Sequence, residues 1–553
     1  MSKSAQDQSS AYDAIIVGAG FAGLYMLHTL RGRGMRVLVI DSAGGVGGTW
    51  YWNRYPGARC DVVSVDYSYS FSEEIQQQWI WTEKFATQPE ILRYIEFVAD
   101  TLDLRRDILF NTRVEAMVYD EAAKRWSVST SAGPSYSARF CIMATGCLSM
   151  PKDPDVPGLS QFAGPVYFAS RWPHEKIDFS GQRVGLIGTG SSGIQLAPEI
   201  AKSASHLAVF QRTPSFTIPA RNADLPADFL DTVKSTYAER RQKARRHPAG
   251  HLRPLTKRAT FSYSAEERRD AFEGAWQRGA QDIFGVFGDL IVNEAANAEI
   301  VELIHQKIDE EISDPAVAAA LKPRGSPFGA RRICLDTDYY ATFNRDNVTL
   351  VDVLDDPIES VVADGVKTQG RHHQLDALVL ATGFDAMTGA LLKIDIRGRQ
   401  GRKLGEKWHA GPVSYLGIAI ESFPNLFTIT GPGSPSVLTN VIASIEQHVE
   451  WLADLFDHMD RQGLQTVEAG IEAEDAWVRH VHDLAAATLM MQANSWFLGA
   501  NVVGKPRVFM PYAGGLDVYR DKVAAIAQDG YPGFRFEPHA GQQVSSGAAA
   551  ETR

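Results

Sequence analysis

Cysteine is scarce. Cys60, Cys141, Cys147 and Cys334 are the only four in 553 residues, and no two form a C-x-x-C pair. That excludes a disulfide-stapled scaffold and a dithiol redox centre. No run of 18 apolar residues occurs, so no membrane-spanning helix is expected. The start, MSKSAQDQSSAYD, is polar and carries no apolar secretion signal. Basic charge is in deficit: 55 Lys and Arg against 66 Asp and Glu leave a net charge of −11, with no overall field to gather nucleic acid. The histidines (His372, His373, His409, His448, His480, His482) show no metal-ligand spacing, so no metal is expected. What remains is a large acidic enzyme, expected in the cytoplasm, with small-molecule partners and neither nucleic acid nor membrane. The sequence sets no oligomeric state, and a monomer is compatible with it.

Glycine is plentiful at 47, and two clusters of it organise the chain. Tyr12 to Asp41 reads YDAIIVGAGFAGLYMLHTLRGRGMRVLVID; Arg183 to Arg212 reads RVGLIGTGSSGIQLAPEIAKSASHLAVFQR. Each is a β-branched run, a glycine turn, a helix-length amphipathic stretch and a second apolar run, which is a βαβ unit. Two such units predict an α/β fold with two Rossmann-like dinucleotide-binding domains. Strand-like runs ending in ATG, at Phe140–Gly146 and Leu378–Gly383, repeat the symmetry. From about Asn222 to Leu321 the composition shifts to Ala, Glu, Arg and Gln at helical spacing, as in AEERRDAFEGAWQRGAQDIF and ANAEIVELIHQKIDEEI, and a helical insertion is expected. Its basic stretch (Arg240, Arg241, Lys243, Arg245, Arg246) reads as a solvated helix face rather than a phosphate site. The small, polar ends, Met1–Ser10 and Gly541–Arg553, are expected to be disordered.

In the first unit Gly18 and Gly20 allow a tight turn and close approach of a pyrophosphate to the helix N-terminus. Gly23 lets the helix pack on the strand. Asp41 ends the second strand, where a carboxylate binds a ribose 2′-hydroxyl. Gly188, Gly190 and Gly193 repeat the turn, but Arg212 and Thr213 follow the strand, and an arginine there suits a 2′-phosphate. Two nucleotide domains suit a flavoenzyme, with FAD in the first and NADPH in the second. The expected order is FAD-binding domain 1–147, NADP-binding domain 148–221, helical insertion 222–324, NADP-binding domain 325–383, FAD-binding domain 384–540 and a tail 541–553. With no paired thiols, some other acceptor must take the flavin's electrons.

Between the units stands FAGPVYFASRWP, with Phe162, Gly164, Phe168, Trp172 and Pro173. It resembles the Baeyer–Villiger monooxygenase signature F-x-G-x-x-x-H-x-x-x-W-P. GGVGGTWYWNRYPGARCDV (Gly44–Val62), ARRICLDTDYY (Ala330–Tyr340), LATGFDA (Leu380–Ala386), FPNLFTITGPGSPS (Phe423–Ser436) and SWFLGANVVGKPR (Ser495–Arg507) look like further motifs of that family. The likeness spans nearly the whole chain and is nearest to the phenylacetone monooxygenase branch. One position departs: Phe168 stands where the family has histidine, and a phenyl ring neither donates nor accepts a hydrogen bond as imidazole does. In the family that histidine lies on an interdomain linker, so the departure bears on coupling more than on reaction type.

The resemblance implies a flavin monooxygenase that uses NADPH and O2 to insert oxygen beside a ketone carbonyl through a C4a-peroxyflavin, giving an ester or lactone. It assigns Arg332 to the active-site arginine and Asp61 to the carboxylate that holds it. Arg331 joins Arg212 and Thr213 on the 2′-phosphate. Gly48, Thr49 and Trp50 fall near the flavin, with Trp52, Asn53, Arg54 and Tyr55 crowding the same motif. Trp496 falls on a mobile loop with Gly499 and Gly504 nearby. Val62, Ser436, Val437, Leu438 and Val441 fall on the substrate pocket. Alternatives are a sulfur- or nitrogen-oxidising flavin monooxygenase, an uncoupled NADPH oxidase, and a non-catalytic flavin-binding protein.

Overall fold

The computed structural model describes residues 11–539; the terminal segments expected to be disordered lie outside the described residues. Strand Ala11–Val17 feeds helix Phe21–Gly32 and then strand Val37–Ile40, whose four residues are all buried. These strands are continuous apolar runs because helices and loops cover both faces of a parallel sheet. The strand order is Asp395–Arg397, Val114–Asp120, Arg125–Thr130, Ser135–Met143, Ala11–Val17, Val37–Ile40, Ile108–Leu109. The first half of Ser135–Met143 pairs antiparallel with Arg125–Thr130, and its last three residues also take Leu426–Thr428 in parallel. The C-terminal third of the chain thus returns to the first sheet.

The second sheet is wholly parallel: Val348–Asp352, His206–Gln211, Arg183–Ile187, Ala377–Leu380, Val166–Phe168. Both glycine turns share one construction. Gly18 has φ +111° and Gly188 φ +110°, a left-handed conformation that side chains disfavour. A Cβ on Gly18 would lie 2.4 Å from Ala144 O, and one on Gly188 would lie 2.5 Å from Ala381 O. Those alanines belong to the two ATG runs, so each run closes its sheet against its own turn.

The helical region, running from Ala227–Ser235 to Pro315–Leu321, is inserted in the chain between strands His206–Gln211 and Val348–Asp352 of the second sheet. Its neck is a short parallel pair, Thr217–Pro219 against Cys334–Asp336, which lets the chain out and back at one point. The stretch AEERRDAFEGAWQRGAQDIF does not form one helix. Ala265–Arg278 starts at a Ser264–Glu267 capping box and stops at Gly279, φ +71°; a 3-10 segment Ala280–Gly285 follows.

The basic helix Tyr237–Arg245 is not a solvated face throughout. Arg240 pairs bidentately with Asp66 at 2.7 and 2.8 Å, and that carboxylate is fully buried. Arg241 is buried and donates to Ser68 Oγ at 2.6 Å and to the Asp66 carbonyl at 3.3 Å. Arg245 reaches Ser70 and Glu450. Only Lys243 and Arg246 remain in solvent, paired with Glu239 and Asp521. The stretch is a clasp holding the insertion to the first domain, and burial of its partner carboxylate makes the difference.

Helix Val441–Arg461 begins at Asn440, whose side chain accepts from Ile442 N–H, and packs against Phe21–Gly32 and Leu516–Gln528. Among the described residues, no helix is long and apolar enough to cross a membrane, and no group of His, Cys, Asp and Glu is arranged to hold a metal ion. His448 is fully buried in that helix. Its Nδ1 accepts from Thr430 N–H and its Nε2 meets the Tyr519 hydroxyl at 2.8 Å.

Candidate active site

A cavity of about 1200 Å3 lies between the two glycine turns and is walled by both domains. That exceeds what one drug-sized ligand needs. Gly18, Gly20, Asp41, Gly48, Thr49 and Trp50 line it on one side; Gly188, Gly190, Arg212, Thr213, Arg331 and Trp496 line it on the other. Gly23 and Gly193 sit behind the wall, where a Cβ would strike the carbonyls of Gly18 and Gly188 at 1.8 and 1.9 Å. Helices Phe21–Gly32 and Ser191–Ala201 both open at a glycine with no side-chain cap. Their first N–H groups and positive dipole ends are therefore available to an anion.

Asp41 accepts the Ala19 N–H at 2.5 Å and the Ala43 N–H at 2.7 Å. Burial pushes its carboxyl up, against the pull of those two donors. Each oxygen keeps a lone pair for a hydroxyl. Among the described residues no carboxylate forms an ion pair with Arg212 or Arg331 at the second turn. Arg331 Nε is buried without a partner. Burial, and after it the neighbouring Arg212 charge, push the Arg331 guanidinium below its ordinary range. Two adjacent guanidiniums, one with an orphaned donor, suit a phosphate. Together the uncapped helix ends, Asp41 and the arginine pair fit two dinucleotides.

Arg332 and Asp61 meet on the wall between them. Arg332 Nε donates to Asp61 Oδ2 at 2.8 Å, Nη2 to Oδ1 at 2.7 Å, and Nη1 to the Val437 carbonyl at 2.5 Å. Burial works against the charge, but the Asp61 carboxylate outweighs it, so Arg332 holds its proton more firmly than a free guanidinium. Three remote segments converge here. Asp61 lies near the end of the segment Gly44–Val62, Arg332 precedes the neck strand Cys334–Asp336, and Val437 stands before the long helix.

Trp50 donates its indole N–H to Tyr67 Oη at 3.2 Å, and Gln88 holds its carbonyl. Trp52, Asn53 and Tyr55 also face the cavity, whereas Arg54 turns back onto the Tyr51 carbonyl. Trp496 lies on a single 3-10 turn, Trp496–Leu498, that stops at Gly499, φ +69°. Further along that loop Lys505 pairs with Asp385 at 2.6 Å, and Gly504 has open space around it.

The expected substrate wall is only partly there. Val62, Val437 and Val441 line the cavity; Ser436 and Leu438 do not. Ser436 is fully buried at φ +35° with its hydroxyl toward Met387 Sδ, and Leu438 packs into the cluster around Met387 and Phe497. The left-handed turn at Ser436 rotates both away. Sequence reasoning missed Cys60, Tyr67, Thr439 and Ile445, which line the same cavity. Val441 and Ile445 show a readable signal, the i, i+4 spacing of one helix face; Tyr67 shows none, because it follows an irregular turn. Burial keeps the Tyr67 hydroxyl protonated.

The signature segment is not a free linker, and none of Phe162, Gly164, Phe168, Trp172 and Pro173 lines the cavity. Val166–Phe168 is the edge strand of the second sheet, with Phe168 opposite Leu380. Phe168 packs, half-buried, in the apolar cluster of Ile187, Phe210 and Leu380. Trp172 is buried against Tyr167 and Phe179. A Cβ on Gly164 would meet the Asp376 carbonyl at 2.5 Å.

The family model described as pyridine nucleotide-disulphide oxidoreductase matches residues 15–259. All four cysteines are free. Acetone monooxygenase (methyl acetate-forming) of Gordonia sp. (strain TY-5) is 39% identical over 95% of this chain and 99% of its own length. A Baeyer–Villiger monooxygenase of Pseudooceanicola batsensis is 40% identical, over 94% and 95%. Phenazine N-monooxygenase PhzNO1 of Lysobacter antibioticus is 38% identical, over 95% and 96%. Among solved structures, an oxidized steroid monooxygenase bound to NADP superposes with a TM-score of 0.91 at 48% identity, covering 95% of this chain and 99% of that one. With relatives of this identity along their whole length, and with the paired glycine turns and the Arg332–Asp61 pair between them, the chain belongs to the Baeyer–Villiger monooxygenase family.

Proposed function

We propose that this chain binds FAD at the first glycine turn and NADPH at the second, and with O2 converts a ketone into an ester or lactone. The observation that carries the reading is the Arg332–Asp61 pair on the cavity wall between the two turns. When bound, FAD would supply the redox chemistry linking the two electrons of NADPH to O2, one oxygen atom of which would enter the substrate while the other would leave as water.

The chain's own residues do the rest. The Gly18 and Gly188 turns and the uncapped helix ends take the two pyrophosphates. Asp41 takes a ribose hydroxyl, and Arg212, Thr213 and Arg331 take the 2′-phosphate that separates NADPH from NADH. Of the five N–H donors of a guanidinium, three on Arg332 are committed to Asp61 and Val437. The other two are free to hold the ketone oxygen as negative charge gathers on it. Asp61 keeps the guanidinium charged and fixed, so no reorganisation is needed during reaction. Trp50, Tyr55 and Tyr67 exclude water, and the Tyr67 O–H stays neutral. Val62, Val437 and Val441 offer an apolar surface to the ketone's aryl or alkyl group.

The strand pairings support a first domain of 1–147 with 384–540, split around a second of 148–221 with 325–383 and the insertion 222–324. Four unpaired thiols favour a reducing compartment, the cytoplasm.

A panel of aryl, cyclic and linear ketones, with ester yield measured against NADPH consumed, tests the reading. Ester from at least one ketone is expected; hydrogen peroxide as the sole oxygen product across the panel overturns it. Phenazine N-monooxygenase PhzNO1 supports a second reading, oxidation at nitrogen, which a parallel set of nitrogen heteroaromatics assayed for N-oxide separates.

A further inference from the structure

Helix Ser191–Ala201 of the second domain touches residues near in the chain to both partners of the Arg332–Asp61 pair: Tyr55 and Arg59 on one side, Cys334 on the other. At Gln195, one turn in, Oε1 accepts the Tyr55 O–H at 2.9 Å and Nε2 donates to the Arg59 carbonyl at 3.0 Å. Asp61 is two residues beyond Arg59. Gly57, φ +80°, lets the loop lie flat on this helix; a Cβ there would stand 2.4 Å from the Gln195 carbonyl. The far side of the loop is anchored, since Arg59 bonds Glu83 and the Phe85 carbonyl. At the start of the same helix, Ser191 Oγ lies 3.3 Å from Cys334 Sγ, two residues past Arg332. One rigid element therefore bears on the loop carrying Asp61 and on the strand carrying Arg332. Its N-terminus is uncapped and open to the cavity.

We propose that Gln195 is a positioning residue: through Tyr55 and Arg59 it holds the Asp61–Arg332 pair in register with the dinucleotide at the second glycine turn. The proposal rests on the reading that NADPH binds at that turn. A phosphate bonded to the first N–H groups of Ser191–Ala201 fixes the axial position of the helix. Gln195 and Ser191 pass that position to the two loops, so the guanidinium is aimed when the nucleotide is present. Helix and loops are packed, and a small shift at the phosphate is delivered rather than absorbed.

The test uses the FAD-loaded enzyme and Gln195→Met, which keeps length and volume but removes both hydrogen bonds. Tyr55→Phe removes only one. Expected for Gln195→Met are retained flavin content and thermal midpoint, with ester formed per NADPH oxidised falling about fivefold or more, the low end of ordinary coupling between sites. Hydrogen peroxide should make up the difference. Tyr55→Phe should give part of that fall and add nothing on top of Gln195→Met, because both act through one bond. An unchanged ester-to-NADPH ratio overturns the proposal. So does a fall that merely tracks lost flavin, or full additivity of the two variants. Arg212→Ala in the otherwise native enzyme tests the underlying reading separately: an unchanged NADPH KM there refutes the assigned nucleotide site, whatever Gln195 does.

Discussion

Arg332 and Asp61 stand 271 positions apart in the chain, yet two of the guanidinium's nitrogens face two carboxylate oxygens at 2.8 and 2.7 Å. A third nitrogen rests on the Val437 carbonyl. The cation is thus held by two other, remote segments of the chain, and the residue lines the cavity.

Arg332→Ala should lower ester formation by about 10²–10³, the usual cost of removing a charge-stabilising donor. Arg332→Lys should not restore it, because an ammonium cannot span Asp61 and Val437 together. Ester by gas chromatography checks this, with anaerobic flavin reduction by NADPH as control. Normal ester yield from either variant removes Arg332 from the mechanism.

Arg212→Ala or Arg331→Ala should raise the NADPH KM about 10–100-fold, the worth of one charge-assisted hydrogen bond. NADH, which lacks the phosphate, should be affected little, so the preference between the two narrows. Initial rates over a range of both coenzymes measure it, and equal losses for both would relocate the phosphate.

Phe168→His places in an apolar setting the histidine that the signature likeness leads one to expect there. Phe168 is half-buried among Ile187, Phe210 and Leu380, where an imidazole has no evident partner. The variant should lose about 1 kcal/mol of stability, seen as a lower thermal midpoint, while ester per NADPH rises. Unimproved coupling would mean that the histidine's absence does not limit this enzyme.

Acid should destabilise the protein through His448. Burial pushes its imidazole down to about 3, against 6.5 in the unfolded chain. Below about pH 6.5 the unfolded state binds the extra proton and the folded state does not. Stability from this group is therefore complete above pH 6.5 and declines as pH falls, by up to about 1.4 kcal/mol per unit. Thermal midpoints at pH 7.5 and 5.5 should differ less in His448→Asn than in the parent. An identical difference assigns the acid sensitivity elsewhere.

Much of the architecture was legible before any coordinates. Alternating β-branched runs, glycine turns and amphipathic stretches announced both nucleotide units, because strand, turn and helix are decided by neighbours within about 30 residues. The insertion was legible by composition, though its helix at Ala265–Arg278 was read through Gly279. The site was legible unevenly. Motif likeness proposed Arg332 with Asp61, while spacing alone said nothing about two residues so far apart. It also drew in Ser436 and Leu438, which the cavity excludes. A serine at φ +35° has no sequence signature, unlike a glycine in the same conformation. The basic helix misled for a related reason: five cations in a row read as solvated until the buried Asp66, some 174 residues earlier, is brought beneath Arg240.

By itself the sequence determined the two dinucleotide folds, the absence of C-x-x-C pairs and the charge that follows the second strand of each unit, Asp41 in one and Arg212 in the other. Those properties live in local hydrogen bonding and periodicity, or in residue identity alone. Only the tertiary structure decided which side chains share a wall. The neck pair Thr217–Pro219 and Cys334–Asp336 delivers Arg332 to Asp61, and helix Ser191–Ala201 bonds the neighbouring residues Cys334 and Arg59. Such meetings depend on how sheets and insertions pack, and packing is a property of the whole chain at once.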